Sequence, residues 1–209
     1  MERFLPLFPL NLVAYPTESL NLHIFEPRYK QLINECLETQ RTFGIPVFIN
    51  QKLPGYGTEM QIVSLAKRYE DGRMDIKTKG LRVFRILTFQ NPVKDKLYAG
   101  GMVEFIEDSE SAEGVISELL LQLERLYALL QTPADFNPHT VPFSYHVAHK
   151  VGLSQEEEYH LLTLHSETER QRYLLRHLNK VIPVMTEMER TKERIKMNGH
   201  FKNLDPLNF

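Results

Sequence analysis

Apolar and polar positions fall into two regimes along the chain. Up to about residue 110 the apolar runs are short and bounded by Pro or Gly; beyond it they recur at helical spacing. In the first regime, residues 4–10 form an apolar run interrupted by Pro6 and Pro9, and residues 43–49 form another. Pro46, inside the second run, argues for a sheet edge or a bulge, because proline cannot donate to a ladder. Residues 59–70 read as a strand with Met60, Ile62, Val63 and Leu65 as its apolar positions. Asp71-Gly72 then predicts a tight hairpin of type I′, which needs positive φ at both central positions. Met74, Ile76 and Thr78 alternate with charged residues, as on a half-solvated strand. Gly80 is expected to break that run, with residues 81–89 as a further strand bulged at Val83-Phe84. Residues 97–106 form the last strand, and Gly100-Gly101 inside it call for a sharp bend or a close backbone approach. Many short strands and bends point to a small closed or nearly closed barrel.

One helix interrupts this β region. Pro27 suits a first helical position, and Glu26 suits the positive end of the helix. Tyr29, Leu32, Ile33, Cys36 and Leu37 then lie at i, i+3, i+4, i+7 and i+8, which is one apolar stripe. The second regime is helical. Residues 112–131 place Ile116, Leu119, Leu120, Leu123, Leu126, Tyr127 and Leu130 on one broad face. Residues 142–151 predict a short helix closed by Gly152. Ser154 with Glu157 predicts a capping box, and Ser166 with Glu169 repeats it ahead of a long final helix ending near Asn198-Gly199. Pro183 inside that helix is expected to kink it. The two regimes meet at the polar stretch 108–113.

Composition narrows the function classes. The 209 residues are 25% charged and 42% hydrophobic, within the ordinary globular range. A formal charge of −2 gives no whole-chain field to recruit nucleic acid or an anionic membrane. One cysteine excludes an internal disulfide and any multi-cysteine metal site. The apolar N-terminal stretch is cut by prolines and is shorter than the roughly 20 residues a membrane span requires. It also lacks the basic region and cleavage site of a secretory signal. A cytoplasmic chain with no membrane association is expected.

The search for chemistry returns mainly negatives. The chain has no Gly-Lys pair for a phosphate-binding loop, no His-Glu-x-x-His and no Gly-x-Ser-x-Gly. Gly55-Tyr56-Gly57 is a lone Gly-x-Gly with no helix after it. Of the clustered histidines, His146 and His149 could share a helix face, but a metal would need further ligands. Cys36 lies on the apolar stripe, where it reads as a small buried hydrophobe rather than a nucleophile. Lys77, Lys79, Arg82 and Arg85 make one strand region locally basic, yet Glu70, Asp71 and Asp75 interleave with the basic residues nearby. Alternating charge over residues 187–197 reads as a solvated helix face or a docking surface. No catalytic residue, metal or cofactor is expected.

The opening segments carry a resemblance. Leu5-Pro-Leu-Phe-Pro-Leu10, Val13-x-Tyr-Pro16 and Leu20-x-Leu-His-Ile-Phe-Glu-Pro-Arg-Tyr29 resemble the N-terminal, substrate-recognition domain of Lon-type ATP-dependent proteases, especially stand-alone Lon-domain proteins of bacteria. Phe43-Gly-Ile-Pro-Val47, Lys79-Gly-Leu-Arg-Val83 and Tyr98-Ala-Gly-Gly-Met-Val-Glu104 follow in the family's order. The resemblance implies an α+β chain. A β-barrel of the pseudouridine-synthase-and-archaeosine-transglycosylase (PUA-like) type, with one amphipathic helix, would occupy residues 1–110. A helical bundle with a long final helix would occupy residues 111–209. In full Lon proteases the module recognises unfolded or tagged proteins, and ATPase and Ser–Lys protease modules follow it. This chain is expected to carry neither, so it is expected not to be an enzyme.

Within the matched motif, Glu26, Arg28 and Tyr29 admit two readings. Structurally, Phe25 and Tyr29 pack, Pro27 starts the helix, and Glu26 and Arg28 cap or pair. Functionally, Glu26, Arg28 and Tyr29 border a groove for an extended peptide. Three functions follow for the chain. One is recognition of polypeptide segments, or an adaptor role beside a protease or chaperone, through an open strand edge near Pro46 or Gly100-Gly101, or through a groove between barrel and bundle. The second is RNA binding through Lys77, Lys79, Arg82 and Arg85. The third is a small-molecule pocket where the two halves meet.

Overall fold

The computed structural model describes residues 2–108 and 114–200, with side chains to residue 197; the expected boundary at 110/111 lies outside the described residues. The strands are β1 (Glu2–Leu7), β2 (Ser19–Ile24), β3 (Phe43–Pro46), β4 (Tyr56–Arg68), β5 (Met74–Ile86) and β6 (Ala99–Phe105). The helices are α1 (Pro27–Thr39), α2 (Ser117–Leu129), α3 (Phe143–Val147), α4 (Gln155–Thr163) and α5 (Glu167–His200). The sheet order is β2-β5-β4-β3-β1-β6, and β6 returns to pair with β5. Strands β5, β4, β3, β1 and β6 therefore close a five-stranded barrel, with β2 outside it on β5. The fold is α+β, as the sequence implies.

Closure depends on one long strand serving two partners. The first half of β5 pairs with β2 from Met74 to Lys79, and its end pairs with β6 from Phe84 to Ile86. Gly80 does not break this strand; the ladder runs through it. A Cβ there would collide with the Tyr15 carbonyl oxygen, so glycine is needed for close approach rather than for a turn. Gly101 repeats the device against the Thr88 carbonyl, as expected of the Gly-Gly pair. The β4–β5 turn differs from type I′. Among its residues only Gly72 has positive φ, +79°, and Tyr69 N–H bonds the Arg73 carbonyl while Gly72 N–H bonds that of Tyr69. This is a three-residue loop with glycine in the left-handed position.

Two further readings are corrected. Pro46 is not at an open edge: it pairs opposite Gly57 on β4, and its carbonyl accepts from Leu10 N–H on the other side. Strand β2 was hidden within the Lon-like motif, although Leu20, Leu22 and Ile24 alternate with polar residues as a half-exposed strand should.

Helix α1 forms as its stripe predicts. Glu26 is its N-cap and Pro27 its first residue, and Tyr29, Leu32, Ile33 and Cys36 are buried. They pack on Ile24, Phe43, Ile45, Met60, Met74 and Ile76. Burial of each large side chain contributes about 1.5–3 kcal/mol over its exposed state. Gln40, at φ +52°, ends the helix in the left-handed conformation and turns the chain away.

The bundle begins later than expected, with α2 starting at Ser117. Residues 148–150 extend α3 as a 3-10 turn, and Gly152 follows at φ +78°. The Ser154–Glu157 capping box is present, and the Ser166 hydroxyl accepts from Glu169 N–H at the start of α5. Pro183 lies inside α5.

Barrel and bundle share one core. Val13, Tyr15, Val47, Ile49 and Val83 pack with Leu119, Leu123, Phe143, Leu174 and Leu178. Tyr15 stacks on Tyr145 at 4.9 Å and donates its hydroxyl to the Glu158 carbonyl at 3.0 Å. Beside them His149 bonds the carboxylates of Glu158 (2.7 Å) and Glu18 (3.3 Å). Those two hydrogen bonds, Glu158 first, outweigh burial and raise its pKa to about 9. Arg170, fully buried, bonds both carboxylate oxygens of Asp108 at 2.7 Å and also bonds Glu167 and Ser144. This guanidinium ties the chain just after the barrel to the start of α5.

Candidate functional site

The side of β1 away from β6 is open. β1 pairs with β6 along its whole length, from Glu2 to Leu7, but with β3 only at Leu7 opposite Gly44. The cause is local. In this parallel register β3 would have to continue back through residues 40–42 to cover β1. Gln40 is instead left-handed and belongs to the end of α1. Phe8 N–H donates to the Gly44 carbonyl, so the even-numbered residues of β1 point their backbone groups to this side. Phe4 thus aims its N–H and C=O at the uncovered edge, whereas the Pro6 carbonyl faces the Gly44 N–H in the single Leu7–Gly44 pairing with β3.

That edge forms one wall of a groove of about 900 Å³. Arg3, Phe4, Leu5 and Pro6 line one side; Glu35, Cys36, Glu38, Thr39, Gln40, Arg41 and Thr42 line the other; Lys96 and Tyr98 close an end. The floor is fixed by two polar clusters. Glu35 accepts from Tyr98 Oη (2.5 Å), Lys96 Nζ (2.8 Å) and Gln31 Nε2 (3.0 Å). Burial opposes ionisation of Glu35, but the Lys96 and Tyr98 hydrogen bonds prevail and hold its carboxyl below the usual range. Burial first, then the bond to Glu35, raises the Tyr98 phenol, so it stays a neutral donor. In the second cluster Glu59, almost fully buried, accepts from Arg3 and Arg82 at 2.7 Å each and from Thr42 at 2.6 Å.

Cys36 sits in the groove wall without nucleophilic character. Burial, then the neighbouring Glu35 carboxylate, pushes its thiol up to about 12, so thiolate is negligible near neutral pH. Among the described residues, no group of three or more His, Cys, Asp or Glu side chains is arranged to hold a metal ion. The groove offers apolar surface, an unpaired strand edge and charges of both signs, which suits an extended chain better than a bond-breaking reaction.

The residues singled out in the sequence are dispersed. Tyr29 is core, stacked on Phe8 at 3.7 Å. Glu26 and Arg28 form a half-exposed pair at 2.7 Å, with the guanidinium 4.6 Å over the Tyr29 ring. They stand at the N-terminal end of α1, whereas the groove opens at its C-terminal end, about 10–17 Å away by helix rise. Phe25 does not pack; it is 59% exposed beside His23. Arg82 is committed to Glu59, and Arg85 to Glu104 at 2.7 Å, while Lys77 and Lys79 are exposed on the outer face of β5. Where barrel meets bundle, side chains of both halves pack in one core. The groove itself had one legible signal, the apolar Phe4-Leu5-Pro6, but no sign of what lies opposite it.

Comparison with known proteins decides the family. Residues 4–180 match the model of the ATP-dependent protease La (LON) substrate-binding domain. The chain belongs to this family. A crystal structure of a Lon N-terminal domain protein from Xanthomonas campestris superposes with a TM-score of 0.67 at 27% identity, covering 83% of this chain and 97% of that one. The N-terminal domain of Mycobacterium avium complex Lon protease shares the fold, with a TM-score of 0.62 at 14% identity, covering 85% and 98%. A LON peptidase N-terminal domain and RING finger protein of Schizosaccharomyces pombe is 32% identical over 108 residues, 43% of this chain and 22% of its own length. The chain thus spans about a fifth of that curated relative. The match is to a Lon substrate-binding domain, not to an ATPase or protease domain. Among the described residues no helix is long and apolar enough to cross a membrane.

Proposed function

We propose that this Lon substrate-binding domain recognises extended polypeptide segments by strand addition to β1 in the groove, without chemistry of its own. The observation that carries the reading is the unpaired backbone of Phe4, exposed along a groove of about 900 Å³. Main-chain hydrogen bonds from an added strand are sequence-tolerant, which fits recognition of unfolded proteins in general. Phe4 and Pro6 supply apolar contact, while Arg41 and Glu38 at the rim bias the charge of the segment accepted. A folded protein has no free strand to offer and is refused. An adaptor role in the cytoplasm, delivering bound chains to a protease or chaperone, follows from the same property.

The test is fluorescence anisotropy with a labelled, permanently unfolded protein and its folded form. The unfolded form is expected to bind and the folded form not. Thr39→Trp, which fills the groove from the exposed end of α1, is expected to weaken binding at least tenfold while leaving thermal stability unchanged. Equal affinity for both forms, or unaltered binding by the stable variant, would overturn the proposal.

A further inference from the structure

The charged side chains that line the groove beside β1 are Arg3, Glu35, Glu38, Arg41 and Lys96. Most of them are committed within the wall. Arg3 is bonded to the buried Glu59, and Lys96 and Glu35 are bonded to each other. Glu38 and Arg41 remain. Among the described residues neither of these two side chains has a hydrogen bond or an ion pair. Both are exposed, but they stand in different places. Glu38 belongs to the last turn of α1. Arg41 follows the left-handed Gln40, and its N–H donates to the Cys36 carbonyl at 3.1 Å, so its backbone is held while its guanidinium stays uncommitted. Its charge is felt at the groove floor. Burial raises the Cys36 thiol and the Tyr98 phenol, and Arg41 opposes that rise in both. Counting back three residues along both chains from the Leu7–Gly44 pair brings Arg41 level with Phe4. An uncompensated cation therefore stands beside the backbone groups that an added strand would use.

We propose that Arg41 makes the groove selective for polypeptide segments that place a carboxylate level with Phe4, either an Asp or Glu side chain or the chain's own C-terminus. This rests on strand addition to β1 and adds to it the class of segment preferred. A guanidinium suits a carboxylate because its planar fork donates two parallel N–H bonds. No carboxylate of the wall competes for it at hydrogen-bond range, since Glu35 is taken up by Lys96 and Glu59 by Arg3 and Arg82. A segment with Lys at the same level meets a like charge instead. Main-chain bonds to Phe4 then supply the sequence-tolerant part of the affinity, and Arg41 supplies the discrimination. Because Arg41 is exposed, that discrimination is modest and is screened by salt. Glu38, on the same rim, offsets part of it.

Fluorescence anisotropy with peptides of one strand-forming, Val- and Thr-rich sequence, each labelled at the N-terminus, tests the proposal. The peptides differ only in charge: neutral and amidated, amidated with a central Asp, amidated with a central Lys, and neutral with a free C-terminal carboxylate. At low salt at least one carboxylate peptide is expected to bind about three- to fivefold more tightly than the neutral one, and the Lys peptide more weakly than it. Which carboxylate peptide gains assigns the source, side chain or C-terminus. Arg41→Gln should erase the ranking without changing thermal stability, Arg41→Glu should invert it, and Glu38→Gln should widen it. A ranking that survives Arg41→Gln would overturn the proposal. So would equal affinities of the wild-type chain for all the peptides; if those affinities fall with Thr39→Trp, strand addition in the groove stands without Arg41's selectivity. Binding of none of the peptides would overturn both.

Discussion

The barrel has two flanks of opposite character. On the flank facing the bundle, side chains of the two halves interlock: Tyr15 stacks on Tyr145, Val47 and Val83 enter the helical core, and Arg170 and His149 each bond more than one carboxylate. On the flank beside α1, a strand edge is left unpaired and a groove stays open. Both flanks contain buried carboxylate–cation clusters, but these serve different ends. The Arg170 cluster joins segments far apart in sequence and so holds the two halves together. The Glu59 and Glu35 clusters brace the groove wall and keep its shape. The contrast places stability at the seam and, on the proposed reading, recognition at the groove, so substitutions at one should leave the other's property alone.

The largest effect is expected at Arg170. Replacing it with Ala leaves Glu167 buried without its cation and releases Asp108, a change of about 3–5 kcal/mol. Urea unfolding would report it, and in folded protein polypeptide binding should be unchanged. Next comes Gly101→Ala, whose added methyl would collide with the Thr88 carbonyl and strain the β6 ladder by about 1–3 kcal/mol or more. A cost below a few tenths would show that this approach is looser than the geometry implies.

The third effect is a pH dependence specific to the seam. His149 has a folded pKa raised to about 9, above its unfolded value of about 6.5. The stability it contributes is therefore fully present below pH 6.5 and is lost as pH rises through 9. Allowing for solvent screening of the partly exposed ring, about 1–2 kcal/mol should disappear across that window. His149→Gln should flatten the profile between pH 6.5 and 9. An unchanged slope would assign the dependence to other groups. The smallest stability effect is expected at the groove rim, where Thr39→Trp should shift unfolding by less than about 0.5 kcal/mol while abolishing most binding.

Legibility in the sequence followed the range of the interaction involved. The α1 stripe and both serine caps depend on residues within one or two turns, and they appear where the spacing put them. Gly80 was misread because its neighbour, the Tyr15 carbonyl, is distant in the chain; a glycine needed for close approach looks the same in sequence as one that ends a strand. Nothing in the sequence marks Arg170 as buried, since an arginine in a charge-rich helix ordinarily points to solvent and its partner Asp108 is remote. The groove escaped for a related reason. It is made by a mismatch between where β3 begins and where β1 begins, which no single segment encodes. The family motif at residues 20–29 was legible but marks the other end of α1, where Tyr29 anchors the helix and Glu26 pairs with Arg28.

The measurement closest to the central claim is amide hydrogen exchange resolved by residue, on the free protein and with an unfolded polypeptide bound. The Phe4 amide, unpaired on the groove side, should exchange fast in the free protein and become protected on binding. The amides of β6 and of the barrel–bundle seam should not change. Protection that appears elsewhere while Phe4 stays fast would contradict strand addition in the groove.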